Sequence, residues 1–186
     1  MAIQPGIHKL GPPDGNLTVR TGRTGAAAKA GHDLLMEVTA WEATLEVGED
    51  PVQTSVVLSA DATSLRVREG TGGMQALGDD DVANIHQTID DDVLKRKTVV
   101  FRSTEVQTDG SRLTVRGELT VVGTARPLEL SLSAGDDGRL TGSAVVNQTD
   151  WGLKPYSALF GTLKVADEVE VAIDVRLHPL DRLQRS

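Results

Sequence analysis

The chain has 186 residues, a length that fits one domain, and its net charge is −8 with 27 acidic against 19 basic side chains. No cluster of Lys and Arg offers a surface for phosphates, so we expect no nucleic-acid partner. The chain contains no cysteine, which excludes disulfides, thiolate catalysis and cysteine-ligated metals.

We identify no secretory signal at the N-terminus of the sequence. The N-terminal stretch MAIQPGIHKLGPPDGN lacks a basic region followed by an apolar run. No apolar stretch approaches the ~20 residues that span a bilayer, so we predict no stable membrane insertion. We expect a cytoplasmic protein, or a secreted one if a leader has been removed. We divide the chain into an N-terminal extension (1–15), one β domain (16–178) and a C-terminal tail (179–186), with both ends loosely docked.

The first half of the domain alternates with period two but changes phase once. Apolar residues occupy every second position from Leu34 to Ala40, and then every second position from Trp41 to Val47. A shift of one residue moves the apolar side chains to the other face of a strand. We therefore predict a bulge or sharp bend at Ala40-Trp41, which would let the sheet curl.

One segment, GDDDVANIHQTIDDDVLKRK (78–97), follows a helical pattern instead. Apolar residues fall at i, i+3, i+7 and i+11, from Val82 to Val93. Acidic residues 79–81 precede them and basic residues 95–97 follow them, as suits the helix dipole. The segment is predicted to be an amphipathic helix that lies on the β structure or caps it.

The second half of the chain returns to regular alternation. Apolar positions of period two run from Leu113 to Val121, from Leu128 to Leu132, from Leu140 to Val146 and from Val169 to Leu177. The turns between them contain Gly, Asp or Pro. This pattern predicts an all-β fold, an antiparallel barrel of about eight strands with one inserted amphipathic helix, because closure removes exposed sheet edges.

Several stretches, taken in order, resemble the YceI-like family. They are GHDL (31–34) with MEVTAWEATLEV (36–47), SADATSLRV (59–67), VVFRSTEV (99–106), RGELTVVGTARPLEL (116–130) and QTDWGLKPYSALFGTLKVADEVEVAI (148–173). The resemblance covers residues 16–177. It implies a lipocalin-like barrel with a helix near one end, a long polyisoprenoid chain inside, and a form in which two copies pair through the outer face as a homodimer.

The expected inner face of the barrel mixes Leu and Val with small residues. An eight-strand barrel is just wide enough inside for one small ligand. Small side chains either leave space for a guest or merely let the strands bend. The small residues concerned are Gly117, Gly142, Ala40, Ala43, Ala60 and Ala144. We predict that the protein binds, carries or sequesters a long-chain apolar or amphipathic lipid, polyisoprenoid-like, and serves its transport.

Three of the five aromatic residues lie in the stretch NQTDWGLKPYSALFG (147–161). These rings either fill the end of the core or line a mouth through which a chain enters, with a lysine placed for an anionic head group. The predicted ligand-binding residues are His32, Met36, Trp41, Phe101, Trp151, Lys154, Tyr156 and Phe160.

Two other classes of function stay open at this point. The protein could be an enzyme that acts on an apolar substrate through His32 or Tyr156, although adjacent residues of a strand point to opposite faces and Asp33 therefore cannot orient His32. It could also be a scaffold that docks a partner through Ile85 and Ile89 of the helix. The four histidines have no metal-ligand spacing and no nucleotide or nucleophile motif is present, so we predict no catalytic residues, no metal and no cofactor.

Overall fold

The computed structural model describes residues 3–25, 28, 31–73, 76–158 and 163–180. Within them one twelve-stranded antiparallel sheet is accompanied by one helix, which confirms the predicted all-β class. Helix α1, Asp79–Thr88, continues into a π-helical turn, Ile89–Val93, hereafter the π turn. The strands are β1 Gly6–Leu10, β2 Gly15–Thr24, β3 Asp33–Val38, β4 Trp41–Val47, β5 Ser55–Ala60, β6 Leu65–Thr71, β7 Val99–Asp109, β8 Arg112–Val121, β9 Thr124–Ala134, β10 Arg139–Asn147, β11 Ser157–Ala158 and β12 Leu163–Arg176.

Eleven of the twelve strands form a ring with eight positions, because six of them are the halves of three bent strands. β1 and β2, β3 and β4, and β5 and β6 follow each other with only a short break. β3 pairs with β2 and β6, while β4 pairs with β1 and β5. From β5 the ladder runs through β7, β8, β9, β10 and β12, and β12 pairs with β2. The short β11 only adds to β12, so the predicted barrel of about eight strands is confirmed in its ring although the sheet has more segments.

The predicted bend at Ala40-Trp41 is present between β3 and β4. Hydrogen bonds join it to a second bend, which lies between β5 and β6. β3 ends at Val38 and β4 begins at Trp41. The amide of Thr39 donates to the carbonyl of Ser64 at 3.0 Å, and the amide of Asp61 donates to the carbonyl of Ala40 at 3.0 Å. The hydroxyl of Ser64 also accepts from the amide of Ala40 at 3.1 Å. The two bent strands therefore turn the corner of the barrel together.

The alternation read from the sequence sets which side chains point into the ring. A buried cluster contains Val115, Val175, Leu113 and Leu132, all at predicted inward positions. Outward positions carry charges, for example Arg116, which bridges carboxylates on both neighbouring strands. The core is therefore the inside of the barrel, built mainly from aliphatic side chains.

The first fifteen residues, expected to dock loosely, contribute a strand to the barrel. Gly6–Leu10 is strand β1 and pairs with β4, from Gly6 opposite Val47 to Leu10 opposite Ala43. His8 and Leu10 are buried. The alternating pattern here spans only a few residues, too few to distinguish a strand from a tail. In the expected tail, Leu180 is buried and its amide donates to Gln4 Oε1 at 3.1 Å, whereas residues 181–186 lie outside the described part of the chain.

The helical segment ends earlier than its charge pattern predicted. Regular helix stops at Thr88, the π turn stops at Val93, and Lys95 and Arg96 have φ angles of 52° and 59°. Positive φ ends a helix, so the basic residues follow the segment instead of forming its last turn. Neither this helix nor any other in the described ranges has the length and hydrophobicity to cross a bilayer.

We expect Gly117→Ala to destabilise the barrel and Gly22→Ala to leave it nearly unchanged. A Cβ at Gly117 would lie 2.3 Å from the carbonyl oxygen of Arg102 and 2.7 Å from Cζ of Phe101, so backbone must move. At Gly22 the nearest atom would be Cβ of Ala166 at 3.7 Å, an ordinary contact. Overpacking of this kind costs about 1–3 kcal/mol of unfolding free energy. Urea unfolding of both variants measures it, and equal midpoints would contradict the close approach at Gly117.

Candidate ligand-binding cavity

The two ends of the barrel are built differently. One end, the closed end, carries the hairpin turns between β7 and β8 and between β9 and β10. The other, the open end, carries α1, the π turn and the segment that joins β10 to β12. This asymmetry decides where a ligand can enter.

A cavity of about 440 Å³ occupies the barrel and reaches the open end. Most strands of the ring contribute lining side chains, and most of these are Leu, Val, Ile and Ala. An apolar pocket of this size lies within the range of ligand sites, about 300–1,000 Å³. The lining includes Leu132, Leu140, Ala144, Ile85, Ile89 and Tyr156.

Three buried residues separate the cavity from the closed end and are hereafter the floor: Leu113, Ala134 and Val175. They belong to the buried cluster but do not line the cavity. Each lies within two residues of a strand terminus at the closed end. The inside of the barrel is therefore filled with side chains at the closed end, and the cavity opens at the other end.

Helix α1 and the π turn form part of the wall at the open end. Ile85, Ile89 and Val93 line the cavity. None of the residues of the helix or the π turn is fully buried, because this apolar face covers the cavity instead of a packed core. π turns of this kind often accompany functional sites.

One hydrogen bond ties α1 to the edge of the sheet. The amide of Val67 in β6 donates to Nε2 of His86 at 3.1 Å. Burial lowers the pKa of His86, Arg66 lowers it further, and Asp90 opposes the shift. The accepting nitrogen must be unprotonated, so both effects favour the neutral ring. This bond satisfies a backbone donor of β6, an edge strand that pairs only with β3 among the described strands.

The aromatic residues of the stretch 147–161 take different positions: Trp151 packs into the wall, and Tyr156 lies at the mouth. Trp151 is buried against Val121 and Val146, and its Nε1 donates to the carbonyl of Leu119 at 2.8 Å. Tyr156 lines the cavity and is 52% exposed. Lys154 is exposed and does not line the cavity. Phe160 lies outside the described residues, so its predicted position at the mouth has no structural counterpart here.

The remaining predicted site residues lie in different places. Met36 and Phe101 line the cavity. Trp41 is buried in the core cluster but does not line the cavity, and its Nε1 has no hydrogen-bond partner among the described residues. His32 also does not line the cavity, and its ring lies against Gly73. Binding by these side chains stays a prediction.

The small residues of the inner face do not all create space. Gly142, Ala43, Ala60 and Ala144 line the cavity, whereas the ring of Phe101 stands against Gly117. Ala40 lies exposed in the bend. Four of the six small residues therefore border open space, and the other two do not.

The helix was expected to lie on the β structure, to cap it or to dock a partner, and its role as part of the cavity wall was not predicted. The 3.6-residue period identifies an apolar face but not what it covers. Among the described residues, no group of three His, Asp or Glu side chains is placed to hold a metal.

Comparison with known proteins gives a family and a fold. A family model for the YceI-like domain matches residues 17–177. Among solved structures, BcnA of Burkholderia cenocepacia superposes with a TM-score of 0.59 over 86% of this chain and 94% of that one, at 17% identity. The YCEI protein of Campylobacter jejuni superposes with a TM-score of 0.57 over 78% of this chain and 85% of that one, at 12% identity. A search of curated protein sequences finds no match.

We expect acidification to loosen α1 from the sheet. Because the pKa of docked His86 is lowered, the undocked ring binds a proton more readily. Docking is complete above the usual imidazole pKa of about 6.5 and weakens as the pH falls from there toward the lowered pKa. Hydrogen exchange of the Val67 amide, corrected for the intrinsic pH dependence of exchange, measures this.

The matched variant is His86→Gln, which keeps a hydrogen-bonding side chain but cannot titrate. Its protection at Val67 should not change over the same pH range. If protection of the wild-type amide were also independent of pH, the His86 bond would not control docking.

Proposed function

The chain belongs to the YceI-like family, and on that premise we propose that it binds a long-chain apolar or amphipathic lipid inside its barrel and carries or sequesters it without chemical change. The observation that supports this most directly is the cavity of about 440 Å³, lined by aliphatic side chains and reaching the open end. Its apolar wall favours a guest of polyisoprenoid or acyl character.

The energetics of such a guest do not need a charged or catalytic group. Burial of one methylene contributes about 0.8 kcal/mol, so ten methylenes contribute about 8 kcal/mol before the cost of ordering the chain. That is on the order of micromolar affinity when the ordering cost is small. The fit of the cavity to the chain therefore decides affinity.

Two polar side chains at the cavity, Asp61 and Gln148, are engaged in local structure, which favours binding over catalysis. Asp61 accepts from the amide and the hydroxyl of Thr63 at 2.9 and 2.7 Å, and these bonds lower its pKa. Nε2 of Gln148 donates to the carbonyl of Ala166 at 3.1 Å. Both side chains thus serve local structure. Tyr156 is at the mouth while His32 is away from the lining, so the two residues considered for an enzyme do not share the cavity.

The inward direction of the helix face argues against a docking scaffold. Ile85 and Ile89, the residues expected to meet a partner, line the cavity. A cytoplasmic location, a role in transport and assembly as a homodimer stay predictions from the sequence.

We expect protein purified without added lipid to release an apolar chain compound, detected by native mass spectrometry and after organic extraction. Ala144→Trp should lower binding of such a compound by at least about tenfold, because the indole fills space that several methylenes would occupy. Val145→Trp is the matched control, since Val145 is the next residue of β10 and is 54% exposed.

Circular dichroism and thermal unfolding of both variants check that the barrel is intact. Recovery of the same compound at the same level from folded Ala144→Trp would contradict binding inside the cavity. Failure of the wild-type protein to bind any apolar chain would contradict the proposed function itself.

A further inference from the structure

We infer that the cavity limits chain length and accepts a single chain of up to about 18 carbons. The inner end of the chain stops at Leu132 and Leu140, the lining residues that pair with the three floor residues. This inference rests on the proposed function and specifies its ligand. The filled closed end of the barrel sets the maximum chain length, and the polar end of the ligand lies at the mouth beside Tyr156.

The limit follows from volume. A cavity of about 150 Å³ in another protein accommodates benzene, which corresponds to about 25 Å³ for each carbon. At that density the cavity of about 440 Å³ accommodates about 18 carbons. A lipid with two acyl chains of ordinary length needs about twice this volume by the same measure, so the site suits one chain.

The floor cannot recede to admit a longer chain. Leu113, Ala134 and Val175 are 7%, 6% and 1% exposed. Each is paired in the ladder with a residue that lines the cavity: Leu113 with Leu132, and both Ala134 and Val175 with Leu140. The residues that end the cavity are thus held in register by the strand pairing of the closed end.

The wall also resists widening. β12 pairs with β2 from Val175 opposite Gly15 to Lys164 opposite Thr24, apart from one irregularity, and the ring is closed there. Separation of two strands would expose their unpaired backbone groups. A chain that exceeds the limit must therefore extend out of the mouth into water.

These constraints predict a break in the dependence of affinity on length. Each methylene added inside the cavity should increase affinity about fourfold, and each methylene beyond the limit should add little. The ligand class is therefore a monoacyl chain or a short isoprenoid with a polar end.

The test is a competition among straight-chain primary alcohols from about 8 to about 22 carbons, a range that brackets the volume limit. The protein is first stripped of lipid, and occupancy by each alcohol is read by native mass spectrometry. Affinity should rise with each carbon and level off at about 18 carbons. A steady rise to the longest alcohol, or a break far from that length, would overturn the inference.

Two variants move the limit in opposite directions. Ala144→Leu adds three carbons to the lining of the cavity and should shorten the break by about three carbons, because guest and side chain compete for the same volume. Leu113→Ala removes three carbons from the floor and should lengthen the break by about as much. Val145→Leu, which enlarges an exposed side chain of the same strand, should leave the break where it is.

If Leu113→Ala does not fold, Ala144→Leu alone tests the inference. An unchanged break in folded Ala144→Leu would overturn the inference while binding itself, and with it the proposed function, would stand. Binding of none of the alcohols by the wild-type protein would overturn both.

Discussion

The pairing of β12 with β2 is the constraint on which the rest of this structure depends. It joins the last strand of the ring to the first, so that a sheet that would have two open edges becomes a tube. The approach is close: a Cβ at Gly15 would lie 2.1 Å from the carbonyl oxygen of Asp174. Closure turns every inward side chain toward a common axis, which is why a simple alternating pattern yields an enclosed apolar space.

Closure alone does not make a binding site, because a tube of this size can be filled by its own side chains. The closed end is filled in that way by the floor, in the register set by strand pairing. The open end is covered by α1 and the π turn, none of whose residues is fully buried. The closed end is thus densely packed, whereas the element at the open end has no buried residue, a property of the less stable parts of a structure. His86 links this element to the sheet through a bond that only a neutral ring can accept.

The aromatic residues show how similar residues take different tasks in the same fold. Trp151 packs into the wall at the open end with its nitrogen bonded, Phe101 lies in the lining against Gly117, and Tyr156 stands exposed at the mouth. Trp41 is buried, and its Nε1 has no hydrogen-bond partner in the part of the chain that the structure describes. The sequence shows that the aromatic residues are few and clustered. It does not distinguish a ring that fills the core from a ring that lines the cavity.

The sequence by itself determined the strands, their inward faces, the bend at Ala40-Trp41 and the amphipathic helix, because side-chain direction in a strand or a helix depends on local backbone geometry. It failed at Gly6–Leu10, where the pattern is too short, and at the end of the helix, where positive φ at Lys95 and Arg96 overrides charge. Only the tertiary structure decided which inward residues surround open space. Ala144 lines the cavity, whereas Gly117 accommodates Phe101, and this difference depends on side chains from a neighbouring strand or the opposite wall, far away in the chain.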